Sequence, residues 1–176
     1  MTLIRPALAE DLAAITDIYA HHVQFGTGTF ETTPPSVEEI ARRHAEVRAR
    51  GLPWLVAERD TRVVGFAYCN WFKPRPAYRY SAEDSIYVAP DALGQGIGRA
   101  LLAELGAAAE RAGVRKLIAV IGDSANVGSI ALHRSLGFRP AGTITACGWK
   151  FGRWLDIVLM DRALGWGDQT PPEREA

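Results

Sequence analysis

Residues 85–102 read Ser85-Ile86-Tyr87-Val88-Ala89-Pro90-Asp91-Ala92-Leu93-Gly94-Gln95-Gly96-Ile97-Gly98-Arg99-Ala100-Leu101-Leu102. Ile86, Tyr87 and Val88 are β-branched or aromatic and close an extended run that begins near Tyr80, which reads as a strand. Ala89-Pro90 ends it. Leu101, Leu102, Leu105, Ala108, Ala109 and Ala112 then recur at helical spacing, which predicts a helix over about residues 97–112 with Gly113 closing it. Between strand and helix stand Gly94, Gly96 and Gly98. Lacking side chains, these glycines let backbone N–H groups approach a bound anion closely. The helix start adds unpaired N–H donors and the positive end of the dipole. Arg99, in the first turn, is placed to pair with a phosphate. Pyrophosphate is the natural ligand of such a turn, and Gly94, Gln95, Gly96, Ile97, Gly98 and Arg99 are its candidate binding residues.

Three cofactor classes use this geometry. A phosphate-binding P-loop needs Gly-Lys-Ser/Thr at its end, whereas Gly98 is followed by Arg99 and Ala100. A dinucleotide fingerprint beginning at Gly94 needs glycine where Arg99 stands, and its fold usually opens with this unit rather than some eighty residues in. The third class is coenzyme A bound by an acyltransferase. A tight turn without a ligand is the bland alternative for this segment alone.

Outward from this centre, Thr2–Arg5 reads as a short strand and about residues 9–23 as a helix. A glycine- and threonine-rich loop, residues 24–33, surrounds Phe30. Ser36 and Glu39 form a capping box for a second helix that ends near Arg50. Trp54–Ala57 and Val63–Trp71 are two strands joined by the polar turn Arg59-Asp60-Thr61-Arg62. After the glycine turn and its helix, Lys116–Ile121 is a compact buried strand and Asn126–Leu136 a fourth helix. Phe138–Cys147 and Phe151–Met160 are the last strands. The expected fold is therefore α/β, a mixed sheet of about seven strands flanked by about four helices. It is antiparallel in its first part, with a right-handed crossover from Tyr80 to Ile121 making a parallel pair near the centre. One domain is expected over residues 1–164, with residues 165–176 as a mobile tail.

Composition narrows the function classes. The chain has 176 residues, 48% hydrophobic and 23% charged, which suits one globular domain. Twenty basic residues balance twenty acidic ones, so no net field draws in nucleic acid or an anionic membrane. Cys69 and Cys147 are too few for a disulfide scaffold or a cysteine-built metal site, and no metal is expected. Arg5, Glu10 and Asp11 stand where a signal peptide needs its apolar core, and no apolar run approaches a membrane span. The expected location is cytoplasmic.

The segment from Ser85 to Leu102, with Gln95-Gly96-Ile97-Gly98-Arg99-Ala100 at its heart, resembles the acetyl-CoA motif of the GNAT superfamily of N-acetyltransferases. The stretch from Asn126 through Ser129, His133 and Leu136-Gly137-Phe138 is similar to that superfamily's second motif. Within it, four segments look like the phosphinothricin and methionine sulfone/sulfoximine acetyltransferases. These are Thr29-Phe30, Trp71-Phe72-x-Pro74-Arg75, Glu83-Asp84-Ser85-Ile86-Tyr87-Val88 and Lys150-Phe151-Gly152-Arg153-Trp154-Leu155-Asp156. The resemblance implies acetyl-CoA as co-substrate, a small amino-acid-like acceptor and a homodimer. Two positions depart from the wider superfamily. Leu93 stands where Arg or Gln is usual, and His133 where many members carry tyrosine; the narrower family resembles this chain in having histidine there.

Acetyl transfer to an amine needs a base, because an α-amine with a pKa of about 8 is largely protonated at neutral pH. The resemblance places that base at Glu83, on the strand leading into the cofactor turn; a surface strand glutamate is the bland reading. Asp84 points to the other face of a regular strand and is the weaker candidate. The resemblance also implies that backbone groups of Ile86, Tyr87 and Val88 pair with the pantetheine arm, one N–H polarising the thioester carbonyl. Asn126 resembles the family's cofactor-binding asparagine and equally suits a helix N-cap. His133 has three open readings: acid for the departing thiolate, lining of the cofactor channel, or helix surface. For the acceptor, Arg75 is favoured as carboxylate partner among Lys73, Arg75 and Arg79. Phe30, Phe72, Lys73, Pro74, Glu83, Asp84 and Ser85 complete the expected substrate site. Acceptors of another kind (a protein N-terminus or a polyamine) and a non-catalytic acyl-CoA sensor are the rival readings.

Overall fold

The computed structural model describes residues 1–172. Seven strands and four helices follow in the order β1 (Leu3–Pro6), α1 (Leu12–Phe25), α2 (Val37–Ala49), β2 (Trp54–Arg59), β3 (Arg62–Trp71), β4 (Ser81–Val88), α3 (Ile97–Arg111), β5 (Lys116–Gly122), α4 (Val127–Ser135), β6 (Arg139–Lys150) and β7 (Arg153–Ala163). All the strands share one mixed sheet of order β1-β2-β3-β4-β5-β7-β6. Among the described residues only β4 and β5 pair in parallel. They are joined through α3, which is the crossover the sequence predicts.

Each helix forms where an apolar stripe has a start and a stop. The α2 N-cap is Ser36, whose hydroxyl accepts the Glu39 amide. Asn126 caps α4 by accepting the Ser129 amide. Leu101, Leu102, Leu105 and Ala109 of α3 are fully buried against the sheet, on the same core as Val56, Phe66, Ala67 and Leu117. At about 1.5–3 kcal/mol for each large side chain, that burial rather than helix propensity holds α3 in place.

Strand boundaries differ from the sequence reading at two hairpins. Between β2 and β3 the turn is Asp60-Thr61, and between β6 and β7 it is Phe151-Gly152, all four residues at positive φ. Two consecutive positive φ values suit the twist of a tight hairpin. Phe151, expected to open a strand, is therefore a turn residue. β6 runs on to Lys150 across an irregularity between Ile144 and Gly148. At the C-terminus, Leu164 is buried, and Arg115 donates to the carbonyls of Gly167 and Thr170 at 3.0 and 3.1 Å. The last part of the expected tail, residues 173–176, lies outside the described residues. Among the described residues no helix is long and apolar enough to cross a membrane.

Candidate active site

The site is a consequence of incomplete pairing. β4 pairs with β5 only from Ser81↔Lys116 to Asp84↔Ala119. Beyond that point β4 stays on β3 as far as Val88, and β5 stays on β7 as far as Gly122. The two central strands part, and a cleft of about 1100 Å³ opens between them. Ser85, Ile86, Tyr87 and Val88 line one wall, and Val120, Ile121 and Gly122 the other. Peptide groups along such a parted edge seek hydrogen-bond partners, so an extended ligand carrying amides fits here as an added strand would.

At one end of the cleft lies the glycine turn. Gly94 and Gly96 have φ of 73° and 78°, values a side chain disfavours, and among the described residues no heavy atom beyond the adjoining chain lies within 4 Å of where a Cβ would sit on either. The cradle is open to a ligand. Gly96 is also the N-cap of α3, so the first-turn amides of that helix face the same space. Gly98 is tight for another reason: a Cβ there would come within 3.2 Å of the Leu132 side chain, so this glycine lets α3 and α4 pack together. Arg99 borders the cleft and donates to the Ser135 hydroxyl at 2.7 Å. Gln95 turns away, bonding the Asp91 carbonyl at 3.0 Å and the Arg59 guanidinium, and is not in the cleft wall.

Glu83 lies where the strands begin to part, on the wall with Tyr68 and Ser85. Burial, then the charge of Asp84, pushes its carboxyl above the usual glutamate range, with Lys73 opposing. A carboxylate tuned upward in this way is a better proton acceptor for an ammonium group near neutrality. Asp84, at the border of the same cleft, turns toward α4. Its Oδ2 accepts from His133 Nε2 at 2.9 Å, and its Oδ1 is buried with no hydrogen-bond partner. His133 is 2% exposed, and its Nδ1 donates to the Ser129 carbonyl at 2.7 Å. Burial works against a charge on this ring, yet Asp84 outweighs it and the pKa is raised. Both ring nitrogens are thus engaged.

The other side of the cleft is the loop from Gly26 to Phe30. The Tyr19 phenol donates to Glu31 at 2.8 Å, so its oxygen accepts from the Thr29 hydroxyl, also at 2.8 Å. Glu31 is paired with Arg43 of α2. Phe30 is seated between two glycines: a Cβ on Gly122 would lie 2.6 Å from its ring, and one on Gly148 2.4 Å from it. Asn126, besides capping α4, donates to the Gly122 carbonyl at 3.1 Å and faces the cleft. Arg153, at the cleft wall, holds buried Asp123 at 2.6 Å.

Residues 15–138 match the model of the acetyltransferase (GNAT) family. The chain belongs to the GNAT family. It is an N-acetyltransferase by that membership and by its relatives. A phosphinothricin N-acetyltransferase of Alcaligenes faecalis is 52% identical over 170 residues, 97% of this chain and 86% of the relative. An L-methionine sulfoximine/L-methionine sulfone acetyltransferase of Salmonella typhimurium is 37% identical over 161 residues, 92% of this chain and 94% of the relative. Among solved structures, a GNAT superfamily phosphinothricin acetyltransferase from Sinorhizobium meliloti, in complex with acetyl-CoA, superposes with a TM-score of 0.95 at 46% identity. That match covers 98% of this chain and 94% of the other.

In this GNAT domain the residues expected from sequence, Gln95 aside, divide into two groups. Glu83, Asp84, Ser85, Ile86, Tyr87, Val88, Gly94, Gly96, Ile97, Gly98, Arg99, Asn126, His133 and Phe30 all line the one cleft. Phe72, Lys73, Pro74 and Arg75 do not: they sit beyond β3, with Phe72 against Tyr78 and the Lys73 ammonium over the Phe72 ring. The single chain therefore does not bring Arg75 to the cleft, although the charge of Lys73 reaches Glu83. Sequence reasoning missed Tyr19, Tyr68 and Arg153 as cleft residues and Lys150 as a buried one. Arg153 and Lys150 both lie in the Lys150–Asp156 stretch that carries the family resemblance, which is the one hint the sequence holds of either.

Proposed function

We propose that this enzyme transfers the acetyl group of acetyl-CoA to the α-amine of a small amino acid or amino-acid analogue, with phosphinothricin, methionine sulfone and methionine sulfoximine as the leading acceptors. The observation that carries the reading is the parting of β4 from β5 with Glu83 at its apex and the glycine turn at its open end. The names of the relatives supply the acceptor class.

Acetyl-CoA would lie with its phosphates at Gly94, Gly96, Ile97, Gly98 and Arg99 and its amide-bearing arm along Ile86, Tyr87 and Val88, with Asn126 across from it. It supplies an activated acyl group. Glu83 takes a proton from the acceptor ammonium, directly or through water, and frees the nitrogen lone pair for attack on the thioester carbonyl. A backbone N–H at the end of β4 stabilises the charge that develops on oxygen. The C–N bond forms and the C–S bond breaks. The nitrogen sheds a second proton as it becomes an amide, and this balances the thiolate. His133, held by Asp84 and Ser129, is assigned to keeping Asp84 in place. Neither Cys69, buried, nor Cys147, exposed and not among the residues lining the cleft, is needed as a nucleophile.

Two further parts of the reading concern the whole enzyme. The exposed Ile144, Trp149, Phe151 and Trp154 on the last hairpin are a candidate homodimer face. The catalytic unit is residues 1–164, working in the cytoplasm. The test is Glu83→Gln: turnover should fall by about 10²–10⁴ while acetyl-CoA still binds. Unchanged turnover across the pH range would remove Glu83 from the base role.

A further inference from the structure

Lys150 closes β6 and is 4% exposed. A buried ammonium is costly unless its protons are matched. Here Nζ donates to the carbonyl of Gly26 and to the carbonyl of Thr29, each at 2.8 Å. These two acceptors are the ends of the segment Gly26-Thr27-Gly28-Thr29, which lines the cleft. Two of its four residues are glycine, so the segment has little stiffness of its own. One cation therefore ties both ends of a soft loop to a strand.

The same strand receives the next residue of the loop. Gly148 and Lys150 are two apart on β6 and share a face. Gly148 leaves the space into which the Phe30 ring fits, its missing Cβ being only 2.4 Å from Phe30 Cε2. On the opposite side the ring meets Gly122 at the end of β5. The end of β6 thus holds the loop twice, by charge at Lys150 and by shape at Gly148.

We infer that Lys150 is a positioning residue for acceptor binding: it fixes the Gly26–Phe30 loop as one wall of the acceptor pocket without touching the acetyl-CoA side of the cleft. This rests on the acceptor reading above. It assigns a role in acceptor selection to the last strand pair, away from the expected acceptor residues Phe72 to Arg75.

The experiment compares wild type, Lys150→Met and Lys150→Arg in acetyl-transfer kinetics, acetyl-CoA binding and amide hydrogen exchange. Met keeps the apolar stem and removes the donors; Arg keeps charge and donors. With Lys150→Met the acceptor KM should rise by about tenfold or more, since a half-buried and a buried carbonyl lose their partner, while acetyl-CoA affinity stays within about twofold. Exchange should quicken at residues 26–31 and not at residues 85–98. Lys150→Arg should recover part of the lost acceptor affinity. Equal losses for both substrates, or an acceptor KM within about twofold of wild type with unchanged loop exchange, would overturn the assignment. If wild type acetylates no amino acid, the acceptor reading fails by itself. The exchange comparison still decides whether Lys150 holds the loop: unchanged exchange at residues 26–31 overturns the assignment.

Discussion

Glu83 is a carboxyl that the fold makes reluctant to ionise, and this has two measurable consequences of opposite sign. Its raised pKa, from burial first and Asp84 second, means that the acid limb of the kcat/KM profile should lie above the ordinary glutamate range and vanish in Glu83→Gln. A carboxyl whose folded pKa exceeds its unfolded value stabilises the fold fully below the unfolded pKa and loses that contribution as pH rises through the folded one. Glu83→Gln should therefore raise Tm at neutral pH while removing activity, and leave Tm little changed in acid. A scan showing lower stability for the variant at neutral pH would contradict this. His133 obeys the same sign for a base: its pKa is raised by Asp84 despite burial, so its contribution is complete below about 6.5 and fades above the folded pKa. His133→Ala should cost about 3–5 kcal/mol at pH 6 by leaving the Asp84 carboxylate buried alone, as read by urea unfolding. At this scale the sequence was legible in part. The strand reading put Glu83 and Asp84 on opposite faces, and that needed only the period of two. The enclosure of His133 between Asp84 and Ser129 was not legible. It depends on α4 meeting β4 across 49 residues of chain.

Among the elements, the loop between α1 and α2 and the last hairpin constrain each other most tightly. Gly148→Ala would drive a methyl into the Phe30 ring, and Gly122→Ala would do so from the other side, also striking the Thr27 carbonyl at 2.5 Å. Each should lower stability by about 1–3 kcal/mol, and Gly148→Ala should weaken acceptor binding more than acetyl-CoA binding, which calorimetry separates. Asn126→Ala should cost about 1 kcal/mol as a lost cap. Element order was readable because every helix has its own apolar stripe and a marked start or end, such as Ser36, Gly113 and Asn126. The hairpin turns were not, because Asp60-Thr61 and Phe151-Gly152 lack the usual Asn-Gly or Asp-Gly signature although they adopt its backbone. The bounds of β6 are hard to read for a related reason: nearly all its residues are exposed, so no alternation of apolar and polar marks its pleat.

For the whole molecule, one sheet whose two central strands part beyond Asp84 provides both a core and a cleft, and the β6–β7 hairpin at one edge carries exposed aromatic surface. Trp149 and Trp154, 58% and 62% exposed, meet edge to face with centroids 5.2 Å apart. If they belong to a homodimer face, Trp149→Glu combined with Trp154→Glu should halve the mass seen by light scattering and leave acetyl-CoA affinity unchanged. A wild-type monomer would remove that part of the account. A net charge of zero already spoke against nucleic acid as the partner class, but which surface faces a second copy depends on exposure and has no counterpart in sequence pattern. The central claim is tested most directly by thiol release from acetyl-CoA with phosphinothricin, methionine sulfone, methionine sulfoximine, the common amino acids, peptides and polyamines. Release with one or more of the first three, lost in Glu83→Gln, is the expected result. Release confined to peptides or polyamines, or none with any amine despite acetyl-CoA binding, would contradict it.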